Sequence, residues 1–177
     1  MLTSRIVFII ITLAAAAGQA QEIAFGPNDV HSVFFIGKSD DGNQAHYGIR
    51  LDPSCAPVDN EAMFVYWLAL DHPPVHTQPL SFLDHIPYGI SLQKAVKRTA
   101  SGGQQMVKLK QFGRPIVVET KREGDKCTAV ARATINGKTA QLLSVFAKLK
   151  SKVSVYYIDV HGRDLVSGAP VDERIER

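Results

Sequence analysis

The chain has 177 residues, of which 45% are apolar and 21% charged, enough for one domain with a real core and too hydrophobic for a disordered polymer. Its formal net charge of +3 hides an uneven distribution along the chain. Beyond residue 20 the longest apolar run is residues 62–70, far short of the roughly 18 needed to cross a bilayer as a helix.

The first segment has the layout of a secretory signal. Arg5 supplies a positive start, residues 6–17 are apolar apart from Thr12, and Gly18-Gln19-Ala20 offers small side chains at the positions a signal peptidase reads. The expectation is a leader over residues 1–20, cleaved after Ala20, and a single mature domain over 21–177. A retained anchor would need a longer apolar run. No cysteine stands near the cleavage point, which argues against a lipid-anchored form. Asn28, Asn43, Asn60 and Asn136 all lack a hydroxyl residue two positions on, so there is no glycosylation acceptor, which leans towards a bacterial exported protein.

The mature region alternates as half-buried strands do. Val33-Phe34-Phe35-Ile36 is apolar on both faces, and residues 37–43 form a turn-rich connection. From Ala45 to Leu51 the odd positions are apolar. Residues 63–70 make another strand, centred on Trp67. Residues 72–103 then hold Pro73, Pro74, Pro79 and Pro87, and are expected to form one long Pro-rich connection, the first place to look for a working surface. Within it, residues 91–98 are the lone helix candidate, without a convincing stop signal.

Strands resume at Met106-Val107-Leu109, with Lys108 and Lys110 on the opposite face, and at Ile116-Val117-Val118, followed by a turn over residues 122–125. Asn136-Gly137 predicts a type I′ hairpin, because both residues tolerate positive φ. The register then sets Ile135 against Lys138, Ala133 against Ala140 and Ala131 against Leu142. Carried further, it sets Ala129 against Ser144 and Cys127 against Phe146. Residues 153–160 are a last strand, ending at His161-Gly162, with a polar tail from Val171. Seven or more strands joined by tight turns give an all-β fold, an antiparallel β-sandwich or, alternatively, a small β-barrel.

Cys55 and Cys127 are the two cysteines. In an oxidising compartment such a pair reads first as one disulfide. Closing so long a loop is worth about 4 kcal/mol in the chain-entropy account. Two buried free thiols are the alternative.

Several short elements, taken in order, carry a resemblance: Phe34-Phe35-Ile36 with Lys38-Ser39, Tyr66-Trp67, Pro79-Leu80, Tyr88-Gly89-Ile90, and Gly168 with Val171 and Glu173. Together they resemble an uncharacterised family of exported bacterial β-rich proteins, a domain of unknown function covering essentially the whole mature chain. The resemblance implies export, a compact β domain and a bacterial source, and it brings no catalytic residues.

Four constellations could carry chemistry. His72 and His76, with His85 nearby, could ligate Zn or Cu, but Pro73-Pro74 rules out the helix that would align them, so a solvated loop is the competing reading. Asp159 and His161 share a face at a strand end and could orient a general base, as in a hydrolase, yet no nucleophile motif accompanies them. Tyr66, Trp67 and Tyr88 could form a ligand surface, though a Trp within an apolar run more often packs a core.

Charge is the fourth. Residues 94–152 hold fourteen Lys and Arg against three acids, whereas residues 21–93 hold two basic residues against nine acids. Lys108, Lys110, Lys148, Lys150 and Lys152 could present a basic face to an anionic envelope component or an acidic protein. Local neutralisation or guarded strand edges would serve as well. No aromatics interleave with the basic residues, which argues against nucleic acid. No cofactor, catalytic residue or metal ligand is assigned. The function expected is a non-catalytic, periplasmic or secreted binding module, with an enzyme using Asp159/His161 or His72/His76 as the alternative.

Overall fold

The computed structural model describes residues 23–177 apart from 71–73 and 152–153. The expected leader, Asp71, His72, Pro73 and Lys152 therefore lie outside the described residues.

The chain is all-β, with eleven strands and one helical turn: β1 (Val30–Lys38), β2 (Gln44–Ile49), β3 (Met63–Ala69), β4 (His76–Pro79), α1 (His85–Tyr88), β5 (Ile90–Thr99), β6 (Gly102–Leu109), β7 (Pro115–Glu123), β8 (Lys126–Ile135), β9 (Lys138–Ser151), β10 (Ser154–Asp164) and β11 (Pro170–Glu176). A nine-strand path in the order β4-β3-β2-β1-β9-β8-β7-β6-β5 curls into a half-barrel, and β10 with β11 extends from the other edge of β9.

β9 is the hub because it changes partner part-way along. Its first residues pair antiparallel with β8, from Ile135↔Lys138 to Arg132↔Gln141. Further on, Ser144 to Ala147 pair in parallel with Phe35 to Lys38 of β1. Between these stretches lies a bulge. β10 sets Gly162 against Leu142 but His161 against Ser144, so Leu143 has no opposite number. An extra residue of this kind bends a strand and increases its twist. It also flips the phase of the inward side chains: Ala140 and Leu142 are buried before it, Val145 and Ala147 after it. Two four-stranded wings, β1–β4 and β5–β8, thus leave the same edge of β9 and enclose one hydrophobic core.

The Asn136-Gly137 hairpin is present, with φ of 47° and 75° at the two residues. Its ladder stops at Arg132↔Gln141, so the expected pairings of Ala131, Ala129 and Cys127 with β9 do not form. β8 stays with β7 instead, where Cys127 faces Arg122. The β8–β9 ladder ends just before the bulge at Leu143.

The 72–103 stretch departs further from expectation. Its described part contains β4, α1 and β5 rather than one irregular connection. Pro79 ends β4, an edge strand that pairs with β3, and edge strands accept proline because a ladder donor is not required there. Pro87 lies in the single turn of α1, where backbone N–H groups have no intrahelical partner in any case. Residues 91–98, the helix candidate, belong to β5. Two register shifts, between Ile90 and Leu92 and between Ala95 and Lys97, break the alternation that would have identified a strand.

Cys55 and Cys127 are joined by a disulfide, with 5.3 Å between their α-carbons. It ties the β2–β3 connection, part of the acidic half, to the start of β8. The same connection is held by the Thr120 hydroxyl, which donates to the Cys55 carbonyl at 2.7 Å. Arg98 also donates to the Pro57 carbonyl at 2.7 Å and pairs with Asp52 at 2.6 Å.

Candidate functional site

Strand pleat separates the aromatics proposed from sequence. Trp67 and Tyr88 are both buried and meet edge to face, with ring centroids 4.8 Å apart. Tyr66, one residue from Trp67, points to the other face of β3. There it joins Phe25, His46 and Phe64. The three rings do not form one platform.

The lysines are likewise dispersed. Lys108 pairs with Pro115 across β6 and β7, in the wing that joins β9 only along Lys138 to Gln141. Lys148 and Lys150 stand seven and nine residues beyond Gln141, where β9 leaves β8, roughly 25 Å along the strand at a rise of about 3.3 Å per residue. Lys110 is exposed just beyond β6. Lys150 leans over Tyr156, its ammonium 5.8 Å from the ring centroid.

Asp159 and His161 each have a different partner on β11. Arg174 donates two hydrogen bonds to Asp159, at 2.7 and 2.8 Å, and these lead in lowering the Asp159 pKa. His161 pairs with Asp172 at 2.8 Å. His76 and His85 are exposed. Among the described residues no group of three or more His, Cys, Asp or Glu is arranged to hold a metal ion.

Two concave places bring polar side chains together. The first lies on the outer face of β5–β8, a groove of about 290 Å³. Alternation puts Val107, Ile116, Val118 and Ala131 into the core, so their neighbours Gln104, Glu119, Lys121 and Arg132 face outward. Arg132 pairs with Glu119 at 2.6 Å, and the Gln104 amide donates to the other Glu119 oxygen at 3.0 Å. Lys121 pairs with Glu123 at 2.5 Å. Lys97 lines the groove opposite Gln104 and has no ion-pair partner among the described residues. Lys94 and Lys108 continue the same face on either side of Met106.

The second lies at one end of the other wing. Two adjoining cavities of about 320 and 300 Å³ share Lys38, Asp41, Ser81 and Asp84. Lys38 closes β1, Asp40 and Asp41 occupy the turn after it, Trp67 comes from β3, and Tyr88 from α1. Residues 38, 67, 79 and 88, from four of the short elements that carry the sequence resemblance, meet here.

The local geometry follows from simple donors and acceptors. Ser81-x-x-Asp84 forms a reciprocal cap: the Ser81 N–H donates to Asp84 at 3.1 Å while the Asp84 N–H donates to the Ser81 hydroxyl at 3.3 Å. The Ser81 hydroxyl and the Trp67 indole N–H also donate to Asp84, at 2.6 and 3.1 Å. Burial pushes the Asp84 pKa up, but these hydrogen bonds and the nearby Lys38 charge outweigh it and hold the carboxyl below its usual range. Lys38 pairs with Asp41 at 2.6 Å and Asp40 at 3.8 Å, and its ammonium lies 4.8 Å from the Trp67 ring centroid.

Tyr88 is the unusual member. Its side chain is 3% exposed, and its buried hydroxyl has no hydrogen-bond partner among the described residues. Burial first, then the charges of Asp40, Asp41 and Asp84, push its pKa far up, so it remains a neutral phenol. Tyr88 lines the larger of the two cavities together with these three carboxylates.

Sequence reasoning named Tyr88 but missed Lys38, Asp84 and the groove. A Ser-x-x-Asp cap before Tyr88 was readable at 81–84. The groove was not, because the shifts in β5 hide which of its side chains face outward.

Residues 34–174 match the family described as a domain of unknown function, DUF4833, and the chain belongs to it. No curated protein and no solved structure matches.

Proposed function

We propose that this member of a family of unknown function is a non-catalytic binding module, exported to an oxidising compartment, that takes an anionic envelope component on the outer face of β5–β8. The observation that carries the reading is the groove itself. Lys97, Lys121 and Arg132 line it with Glu119 as the one carboxylate, and Lys94 and Lys108 extend the positive face beyond it. These cations stand on a sheet whose other face is core, and Lys94, Lys97 and Lys121 are exposed. Such a face attracts phosphate or carboxylate groups through a field that salt weakens.

Export is supported by the leader-like residues 1–20 and by the Cys55–Cys127 disulfide. A sandwich-like closure is supported by two wings around one core whose end strands, β4 and β5, share no ladder. The single core supports one domain over the mature chain.

The test is retention on anionic lipid vesicles and on heparin at low salt. Changing Lys97, Lys108 and Lys121 together to Glu should weaken retention roughly tenfold or more, with unchanged folding, since all three stand on the outer face. Binding by the altered protein equal to that of the original would overturn the proposal.

A further inference from the structure

The cleft at the far end of the acidic wing has properties that an anion site would not have. Three carboxylates, Asp40, Asp41 and Asp84, face one ammonium, Lys38. Asp41 is matched to Lys38. One Asp84 oxygen accepts from Ser81 and Trp67, while the other has no hydrogen bond among the described residues, and Asp40 is 52% exposed and stands 3.8 Å from the lysine. The excess charge is negative. Tyr88 lines the same space, and its phenol hydroxyl is buried and without a partner among the described residues. Leaving such a group unmatched in a folded interior is costly, and native proteins seldom do so without a use for it.

From this juxtaposition we infer that the cleft is a second ligand site, distinct from the basic groove, and that it takes a small organic cation carrying a primary ammonium group. The three N–H donors of an ammonium need three acceptors, and the cleft supplies the Tyr88 phenol oxygen together with carboxylate oxygens of Asp40 and Asp84. The protein already holds one ammonium this way, with Lys38 between carboxylates and the Trp67 ring. An anion would meet three like charges. A bare metal ion finds no grouping of three His, Cys, Asp or Glu ligands among the described residues. The adjoining cavities, about 320 and 300 Å³, suit a small molecule and not a polymer chain.

Trp67 is the sole tryptophan, so intrinsic fluorescence reports on this cleft alone. Titrating the full mature chain with 1,4-diaminobutane at low salt should shift Trp67 emission in a saturable way, while sorbitol and calcium chloride should not. Tyr88→Phe keeps the ring against Trp67 and removes only the hydroxyl. It should leave the melting midpoint unchanged or raised, yet weaken diamine binding about tenfold, the scale of one hydrogen bond to a charged group. Asp84→Asn, which preserves the cap, should weaken it as well. Retention on anionic vesicles should be untouched by either change, which separates this site from the groove. The inference fails if the diamine leaves Trp67 emission unaltered, or if sorbitol or calcium acts equally well. It also fails if Tyr88→Phe binds like the original, or if that change lowers the melting midpoint, since the hydroxyl would then be serving the fold.

Discussion

Carboxylates in the wing built by β1–β4 are largely occupied by backbone. Asp29 receives the N–H groups of Gly26 and Leu51, Asp41 that of Asn43, Asp52 those of Ser54 and Ala56, and Asp59 that of Glu61. In the wing built by β5–β8, Lys94 and Lys97 stand instead on the outer face and reach water directly, while Arg98 crosses to Asp52. The acidic excess of one half is thus mostly turn chemistry, since Asp closes short connections by accepting nearby N–H groups. The basic excess of the other half includes exposed lysines such as Lys94 and Lys97, free to act at a distance. What distinguishes the cleft is that its carboxylates exceed what the turn needs.

The strongest challenge to this contrast is to cut the link between the wings. Cys127→Ser should lower stability by about 2–5 kcal/mol in denaturant unfolding, because the disulfide closes a loop with a sequence separation of 72 residues. An unchanged midpoint would mean that the core alone holds the acidic connection onto the basic wing.

The two inner phenols sharpen the comparison next. The Tyr47 hydroxyl, fully buried, donates to the Tyr88 carbonyl at 2.6 Å. Tyr47→Phe strands that carbonyl and should cost about 1–3 kcal/mol by thermal or denaturant unfolding, in contrast to the silent Tyr88→Phe. Equal effects of the two changes would remove the distinction between a structural and a ligand-facing hydroxyl.

A smaller effect concerns acid. Hydrogen bonding from the Ser54 hydroxyl leads in lowering the Asp52 pKa, with two backbone N–H groups and the Arg98 charge adding to it against a burial penalty. A carboxyl lowered in the folded state stabilises above its unfolded value, near 3.9, and that contribution is lost as pH falls through the folded value. Asp52→Asn should therefore flatten the stability profile below about pH 4, while costing about 1 kcal/mol or less at neutral pH because the Arg98 pair is partly exposed. A profile identical to the original would show that this inter-wing ion pair carries nothing.

Smallest of all, changing Lys148 and Lys150 together to Glu should alter stability by no more than about 0.5 kcal/mol. It should also leave vesicle retention intact, since both stand far along β9 from the groove. Loss of retention there would move the anionic surface from β5–β8 to the other end of β9.

Features that depend on a residue and its near neighbours were legible in the chain. The all-β character followed from alternation in β2, β6 and β7, and the hairpin at Asn136-Gly137 from the positive φ that few residue types accept. The pairing of Cys55 with Cys127 needed nothing beyond their number and an oxidising compartment. Tertiary structure decided the rest. The bulge at Leu143 exists because β9 must serve β8 and then β1, two partners far apart in sequence, and no local pattern marks such a change. The shifts in β5 likewise answer to β6. The cleft draws Lys38, Trp67 and the Asp84–Tyr88 turn from three separate segments. A hydroxyl is left without a partner only by the sum of everything packed around it, and that sum is written in three dimensions, not along the chain.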